Sequence, residues 1–567
     1  MEIPKKPLDR LLFYQELVRQ CAASRINRFT LYQTLRNYYL FGSQDNKGAP
    51  YNKIASTIET LGSFIYSADS TRFSLHLGTT ASEDDVFKAQ MLAKEVTEQW
   101  RLSKTHLLFG LAIRWAMVFG IMLMKSQWTS KSVRSYLVEP HQFGVLREDI
   151  MDLTDQEAFT HHYTITRTQL MSSLEGNPRK TAIEQELALQ TQGDVPRTFS
   201  EGLSRLIIGG PVSGIPGSVA IGSGMTTVEG GMGSAGRGPA YDYAPKVEAE
   251  LIDMVDLYVW SDEDDEYQLV TQAAPGVTIY DRKASEVGHV KGVPPFTVIR
   301  AHQNLYDYFW NDSFVAKIAW LQDWRTRRVL EINRILSRQA DPPLSLTGMG
   351  GIAEEKAASF RAAGGLLSMP TPTGKAEFHP PDLPGDMFAE VAQIDSMFDD
   401  QAGLGHILQG RGEAGVRSRG QADLMARLGS SRPKERAMAV EESAEDLARL
   451  ILLTTQDHSE QRFSTKLSDG RTLTFVAEQF TKDYEVKVDG HSSSPIFTED
   501  TKHDAVTLLE AKAITRATFL KMFDPPDLQA LLEDLKQIEK AEKEMMERQA
   551  QMEAQGAAPH HGPRKAA

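Results

Sequence analysis

The chain has 567 residues, of which 41% are apolar and 24% charged; this is ordinary for a folded chain but too long for one core, so about two to four compact units are expected. Its formal net charge of −14 argues against a general nucleic-acid binder, because affinity for the phosphate backbone comes mainly from Lys and Arg. The single cysteine, Cys21, excludes an intramolecular disulfide and a Cys-based zinc cluster, and fits folding in a reducing compartment.

The N-terminal Met1–Lys6 leads into a mixed stretch that lacks a signal-peptide core. Residues 8–40 place Leu11, Leu12, Leu17, Val18, Phe29, Leu31 and Leu35 at helical spacing. A second helix is predicted from Ala81 to about Leu102, with Ser82-Glu83-Asp84-Asp85 as its acidic start. Leu107 to Met124 is apolar except for Arg114, a length marginal for a bilayer. A mid-span Arg costs roughly 2.5–3.5 kcal/mol there. The favoured reading is therefore a buried helix to about Val118, a break near Gly120, and a strand over 121–125. Further strands are predicted to Glu148, on either side of a turn at Glu139-Pro140-His141. His161 and His162 are adjacent and so face different ways, which makes them poor joint metal ligands; surface positions are expected for them.

Eleven of the thirty residues 209–238 are glycine, yet no Gly-x-x-x-x-Gly-Lys-Ser/Thr occurs there, so a flexible insert is expected. Strand character returns over 247–260 and 267–270. The acidic run 262–266 between them lacks the glycine turn and distal Glu of a calcium loop, and reads as a solvated hairpin tip. Asp312-Ser313 opens a long helix, 314–338, closed by Asp341-Pro342-Pro343. Short strands (344–346, 366–369) and a helical piece (354–363) precede another helix from Asp386 to about Leu404. After a glycine-broken stretch come a helix from about Ser430, strands at 472–476 and 484–488, helices from about 500 to 554, and a tail without regular structure.

The chemistry that motifs can reveal is absent. There is no Gly-x-Ser-x-Gly elbow, no His-Glu-x-x-His and no phosphate-binding loop, so no catalytic residue, metal or cofactor is assigned and a non-enzymatic role is expected.

Four features, in order, carry a family resemblance. Leu111–Trp128 runs through Gly120 into Val138-Glu139-Pro140-His141-Gln142-Phe143. The helix 314–338 exits into Ala340-Asp341-Pro342-Pro343-Leu344-Ser345-Leu346. Ile394–Gly410 ends in Gly403-Leu404-Gly405-His406-Ile407-Leu408-Gln409-Gly410. Tyr484–Ser493 is followed by helices holding Leu508–Thr515 and Phe523–Asp527. Across roughly 80–545 the chain resembles tailed-bacteriophage portal proteins.

The resemblance implies an α+β, portal-like and mostly helical fold. It divides the chain into an N-terminal helical segment (1–41), a small β-rich wing (42–311 and 431–500), and stem helices at 312–338 and 384–404. The remaining parts are a clip (339–383), a tunnel-loop region (405–430) and a helical C-terminal crown (501–567). It further implies a dodecameric ring at a capsid vertex of the virion, assembled in a bacterial cytoplasm. Double-stranded DNA would pass through that ring without sequence specificity, and the terminase large subunit, major capsid protein and a head–tail adaptor would be its partners. If 405–420 projects into the channel, Gln409, Arg411, Arg417 and Arg419 are the DNA-contact candidates; pairing of these arginines with neighbouring carboxylates is the equal alternative. The first stem helix is basic (Lys317, Arg325, Arg327, Arg328, Arg334, Arg338) and the second acidic (Asp386, Glu390, Asp395, Asp399, Asp400). Charge pairing between them is expected, within or between subunits, the bland alternative being two solvated faces. The competing functional reading is a membrane-associated scaffold using 107–124.

Overall fold

The apolar run 107–124 folds as a helix, Thr105–Phe119, and a strand, Ile121–Thr129, with Gly120 between them. Gly120 has φ 96°, and a Cβ there would lie 2.1 Å from the Asn311 carbonyl oxygen, so both conformation and space require glycine. Ser313 caps the long helix by accepting from the Ala316 amide at 3.0 Å, and its hydroxyl donates to the Val118 carbonyl. This apolar segment and the start of the helix Phe314–Ala340 are thus joined at one point.

The computed structural model describes residues 1–44, 48–76, 83–129, 132–192, 251–273, 277–303, 308–340, 342, 344–347, 375–403, 431–458, 462–466, 472–476, 484–488, 505–523 and 528–556. The Gly-rich stretch 209–238, the segment 405–430 expected as a tunnel loop, and the helix and strand expected at 354–363 and 366–369 lie outside the described residues.

In chain order the helices are α1 (Pro7–Phe41), α2 (Lys53–Ile65), α3 (Glu83–Leu102), α4 (Thr105–Phe119), α5 (Arg167–Ser173) and α6 (Lys180–Gln192). They continue with α7 (Phe314–Ala340), α8 (Asp386–Ala402), α9 (Ser431–His458), α10 (Arg516–Phe523) and α11 (Leu528–Gly556). The strands are β1 (Phe73–His76), β2 (Ile121–Thr129), β3 (Ser132–Val138), β4 (Phe143–Val145), β5 (Ala158–Thr166), β6 (Leu251–Ser261) and β7 (Glu266–Ala273). After them come β8 (Val277–Lys283), β9 (Phe296–Arg300), β10 (Leu344–Thr347), β11 (Lys375–Phe378), β12 (Arg462–Lys466), β13 (Thr472–Val476) and β14 (Glu485–Val488). Among the described residues all pairings are antiparallel: a five-stranded sheet β4-β5-β6-β7-β8, a three-stranded sheet β3-β2-β9, and the pairs β1-β14, β10-β11 and β12-β13.

Alternation along β6 divides its side chains between the two faces of the sheet. Val255, Leu257 and Val259 join Tyr14, Leu17, Val18 and Ala22 of α1, which lies across that face. The approach is close: a Cβ on Gly144 would meet the Cys21 carbonyl oxygen at 2.4 Å. Tyr258 faces the other way, into an aromatic cluster that fills the space between the two larger sheets. Phe159 stacks on Tyr258 with centroids 4.9 Å apart, and Phe296 stands edge-on to Phe143, Phe159 and Tyr258.

The largest core combines α2, α3, α4, the first turns of α7, the end of α8, and α9. α9 ties the sheets to this helical layer, because Ser443 accepts from the Arg300 amide and Glu445 from the Val488 amide, at 3.2 and 2.9 Å. The acidic run forms the β6–β7 turn, where Asp265 adopts φ 55° and Lys283 sits 2.6 Å from Asp264. The tip is therefore partly neutralised as well as solvated.

Candidate functional site

α7 and α8 run antiparallel and form one excursion from the body, joined at their far ends through the β10-β11 pair. Helical spacing brings Trp324, Arg325 and Arg328 of α7 to the side that meets α8. Arg325 Nε lies 2.7 Å from Asp395 Oδ1, and its guanidinium also stacks over the Tyr51 ring at 4.6 Å. Arg328 Nε is 2.9 Å from Glu390 Oε1, which also accepts from the Trp324 indole at 3.1 Å. Nearer the far end, Gln339 donates to the Pro381 carbonyl at 2.8 Å.

The body grips the base of this pair through polar contacts. The buried Gln322 side chain accepts from the Lys53 amide at 3.0 Å and donates to the Tyr51 carbonyl at 2.9 Å. Tyr38 donates to Asp323 at 2.8 Å. Lys53, the first residue of α2, lies 3.3 Å from Asp399 of α8, with both side chains largely buried.

α8 stops at Gly403, whose φ of 73° is the left-handed conformation that favours glycine at such a position. Two arginines from the first turns of α9 satisfy carbonyls there: Arg432 donates to Asp400 at 2.9 Å and Arg436 to Ala402 at 3.4 Å. Burial pushes the Arg436 guanidinium down to about 10, so it is still cationic at neutral pH, and it rests over the Phe314 ring at 4.6 Å. A Cβ on Gly403 would meet Arg432 Cβ at 2.9 Å. The chain therefore leaves at 403 and re-enters at 431 at nearly the same place, both ends held beside the base of α7.

Of the sequence-selected charges, Arg325 meets Asp395, and Glu390 takes Arg328. Asp399 turns away from α7 towards Lys53. Arg327, Arg334 and Arg338 are exposed and form no ion pair with α8 among the described residues. Gln409, Arg411, Arg417 and Arg419 lie outside the described residues. Sequence reasoning missed Lys53, Tyr51, Arg432 and Arg436. The last two had a local signal, a pair of cations opening a helix, where the macrodipole disfavours them unless a partner is present.

A second polar cluster lies between the two larger sheets. Lys125 of β2 is 3.2 Å from Asp256 of β6, which also accepts from Thr271 at 2.9 Å and Tyr163 at 3.2 Å. His161 is the cross-strand partner of Asp256. Both histidines are buried, not at the surface as the sequence suggested, because β5 is covered on both faces. They do point to opposite faces: His161 stacks on Tyr163 at 5.2 Å, while His162 lies 3.2 Å from Thr160 Oγ1. Burial, with a smaller contribution from the Lys125 charge, pushes His161 down to about 3, and burial and nearby Arg25 push His162 well below its ordinary value. Two cavities among the described residues are lined by other side chains. One, of about 940 Å³, lies between β1 and α3; the other, of about 400 Å³, lies between α1 and residues 308–316. Among the described residues no group of three or more His, Cys, Asp or Glu side chains could hold a metal ion. The cluster acts as an interior tie between sheets.

No protein-family model matches the chain, and no curated protein matches it either.

Proposed function

We propose that this chain is a structural ring subunit of the portal kind, forming a channel for double-stranded DNA at a capsid vertex. The single observation that best supports this reading is the α7–β10-β11–α8 excursion. It is a helical hairpin with its own internal salt bridges, rooted in a mixed body by a buried polar network and ending at Gly403 beside the first turn of α9. Such an element suits a stem that must stay rigid while DNA moves past it. The net charge of −14 suits a wall to which a polyanion does not adhere. On this reading the terminase large subunit, a head–tail adaptor and the major capsid protein are the partners, and contact with DNA is confined to short basic segments.

The membrane-scaffold alternative depended on 107–124, and that run is divided at Gly120 between a helix buried along one face, with Leu107, Leu111 and Arg114 exposed, and a central strand. Among the described residues no helix is long and apolar enough to cross a membrane. Negative-stain imaging of the purified full chain, with sedimentation velocity, tests the proposal. Rings with a central hole are expected. A chain that stays monomeric at every concentration tested refutes it.

A further inference from the structure

The salt bridges inside the α7–α8 hairpin leave part of its charge unused, and the unused part is segregated. On α7, Trp320, Asp323, Arg327, Leu330 and Arg334 recur at 3–4 spacing along a stripe turned away from α8. Trp320 is 54% and Leu330 53% exposed, and Asp323 is spent on the Tyr38 hydroxyl. The stripe is therefore bulky and, in its outer half, basic.

On α8 the side turned away from α7 carries Asp386, Ala389, Ala392, Gln393 and Asp400, all exposed. This stripe has small residues at its centre and an acid at each end, and the exposed Phe388 borders it one turn before Ala392. The antiparallel register set by Arg325–Asp395, Arg328–Glu390 and Gln339–Pro381 puts Arg334 at about the height of Asp386, and Leu330 at about the height of Ala389.

We propose that these two outer faces are the two halves of one heterologous interface between copies of this chain. The α7 stripe of one copy seats on the α8 stripe of the next, Leu330 lies over Ala389, and Arg334 pairs with Asp386. Charge complementarity and the match of large to small side chains, at equal heights on opposite flanks, select a second copy as the occupant. A contact of this head-to-tail kind closes into a ring or runs on as a filament, depending on the rotation between copies. The interface deepens the portal reading and rests on it only for closure into a ring.

The test uses three full-length variants, R334E, D386R and R334E/D386R, with sedimentation velocity and negative stain. Thermal melts check that each monomer is folded. Each single reversal sets like charges against each other and is expected to raise the half-assembly concentration at least roughly tenfold. The double variant is expected to recover assembly. An equimolar mixture of the two single variants is also expected to assemble, because alternating copies restore an opposite-charge pair at every contact.

Wild-type rings whose assembly is unchanged in both single variants overturn the interface and leave the portal reading standing. So does weakened duplex binding with intact assembly, which assigns the α7 stripe to DNA. Wild-type filaments dissolved by either reversal support the interface and overturn the ring. A wild type that never associates overturns both.

Discussion

The Lys53–Asp399 contact allows a quantitative test of how the hairpin is rooted. Lys53→Met removes the cation and leaves a carboxylate that is only 8% exposed. At 3.3 Å and an effective dielectric constant of about 20, the attraction being removed is about 5 kcal/mol. The N-terminal dipole of α2 returns only ~0.3–1 kcal/mol to an anion at that position. Lys53→Met or Asp399→Asn alone should therefore destabilise the structure by about 3–5 kcal/mol.

The double variant K53M/D399L behaves differently, because it also abolishes the desolvation cost of both ions. It should lie within ~1 kcal/mol of wild type, or above it. A chain of this size does not unfold in one step, so the readout is the first urea transition, together with hydrogen exchange in α8. If the double variant loses as much as the two singles added together, Lys53 and Asp399 do not act as a pair and the rooting argument fails.

Two further perturbations address the β-sheet body. Gly120→Ala forces a left-handed φ on an L-residue and drives its Cβ into the Asn311 carbonyl; it should cost ~1–3 kcal/mol in strain and about 1–3 kcal/mol more in overpacking. A melting temperature unchanged from wild type would show that the α4–β2 break is not the constraint described. His161, held near 3 by burial and the Lys125 charge, is neutral in the folded state while its unfolded counterpart protonates near 6.5. The unfolded state thus binds the extra proton between about pH 6.5 and 3, and stability should fall with acidification by roughly 1.4 kcal/mol per pH unit from this residue alone. His161→Phe should flatten that acid limb by one proton, as measured by urea midpoints across the window; an unchanged slope would count against it.

What was legible in the sequence followed from local chemistry. Ser313 before an amphipathic run marks α7, and Gly120 between two apolar stretches marks the α4–β2 break; each works through its own backbone conformation or capping group. The regular spacing of Ile54, Ile58, Leu61 and Ile65 announces α2 equally well but was not singled out. β5 was hidden for a different reason. His161 and His162 read as surface residues, and only the covering of β5 by α1 on one side and by β2 and β9 on the other makes them interior.

The charge pattern lies between these cases. That α7 is basic and α8 acidic is compositional and visible at once, but which charges meet depends on the rotation of each helix about its axis. That rotation is set by the apolar residues at the base, Phe314, Val315, Ile318 and Leu321 on α7 and Ile394 and Phe398 on α8. With those residues buried, the 3.6-residue repeat turns Arg325 and Arg328 inward and carries Arg327 and Arg334 to the opposite flank. The same rotation that builds the hairpin therefore determines which charges remain outside it. A substitution that shifted the base packing would be expected to scramble the outer stripes as well, linking the stability of the root to any association that the stripes support.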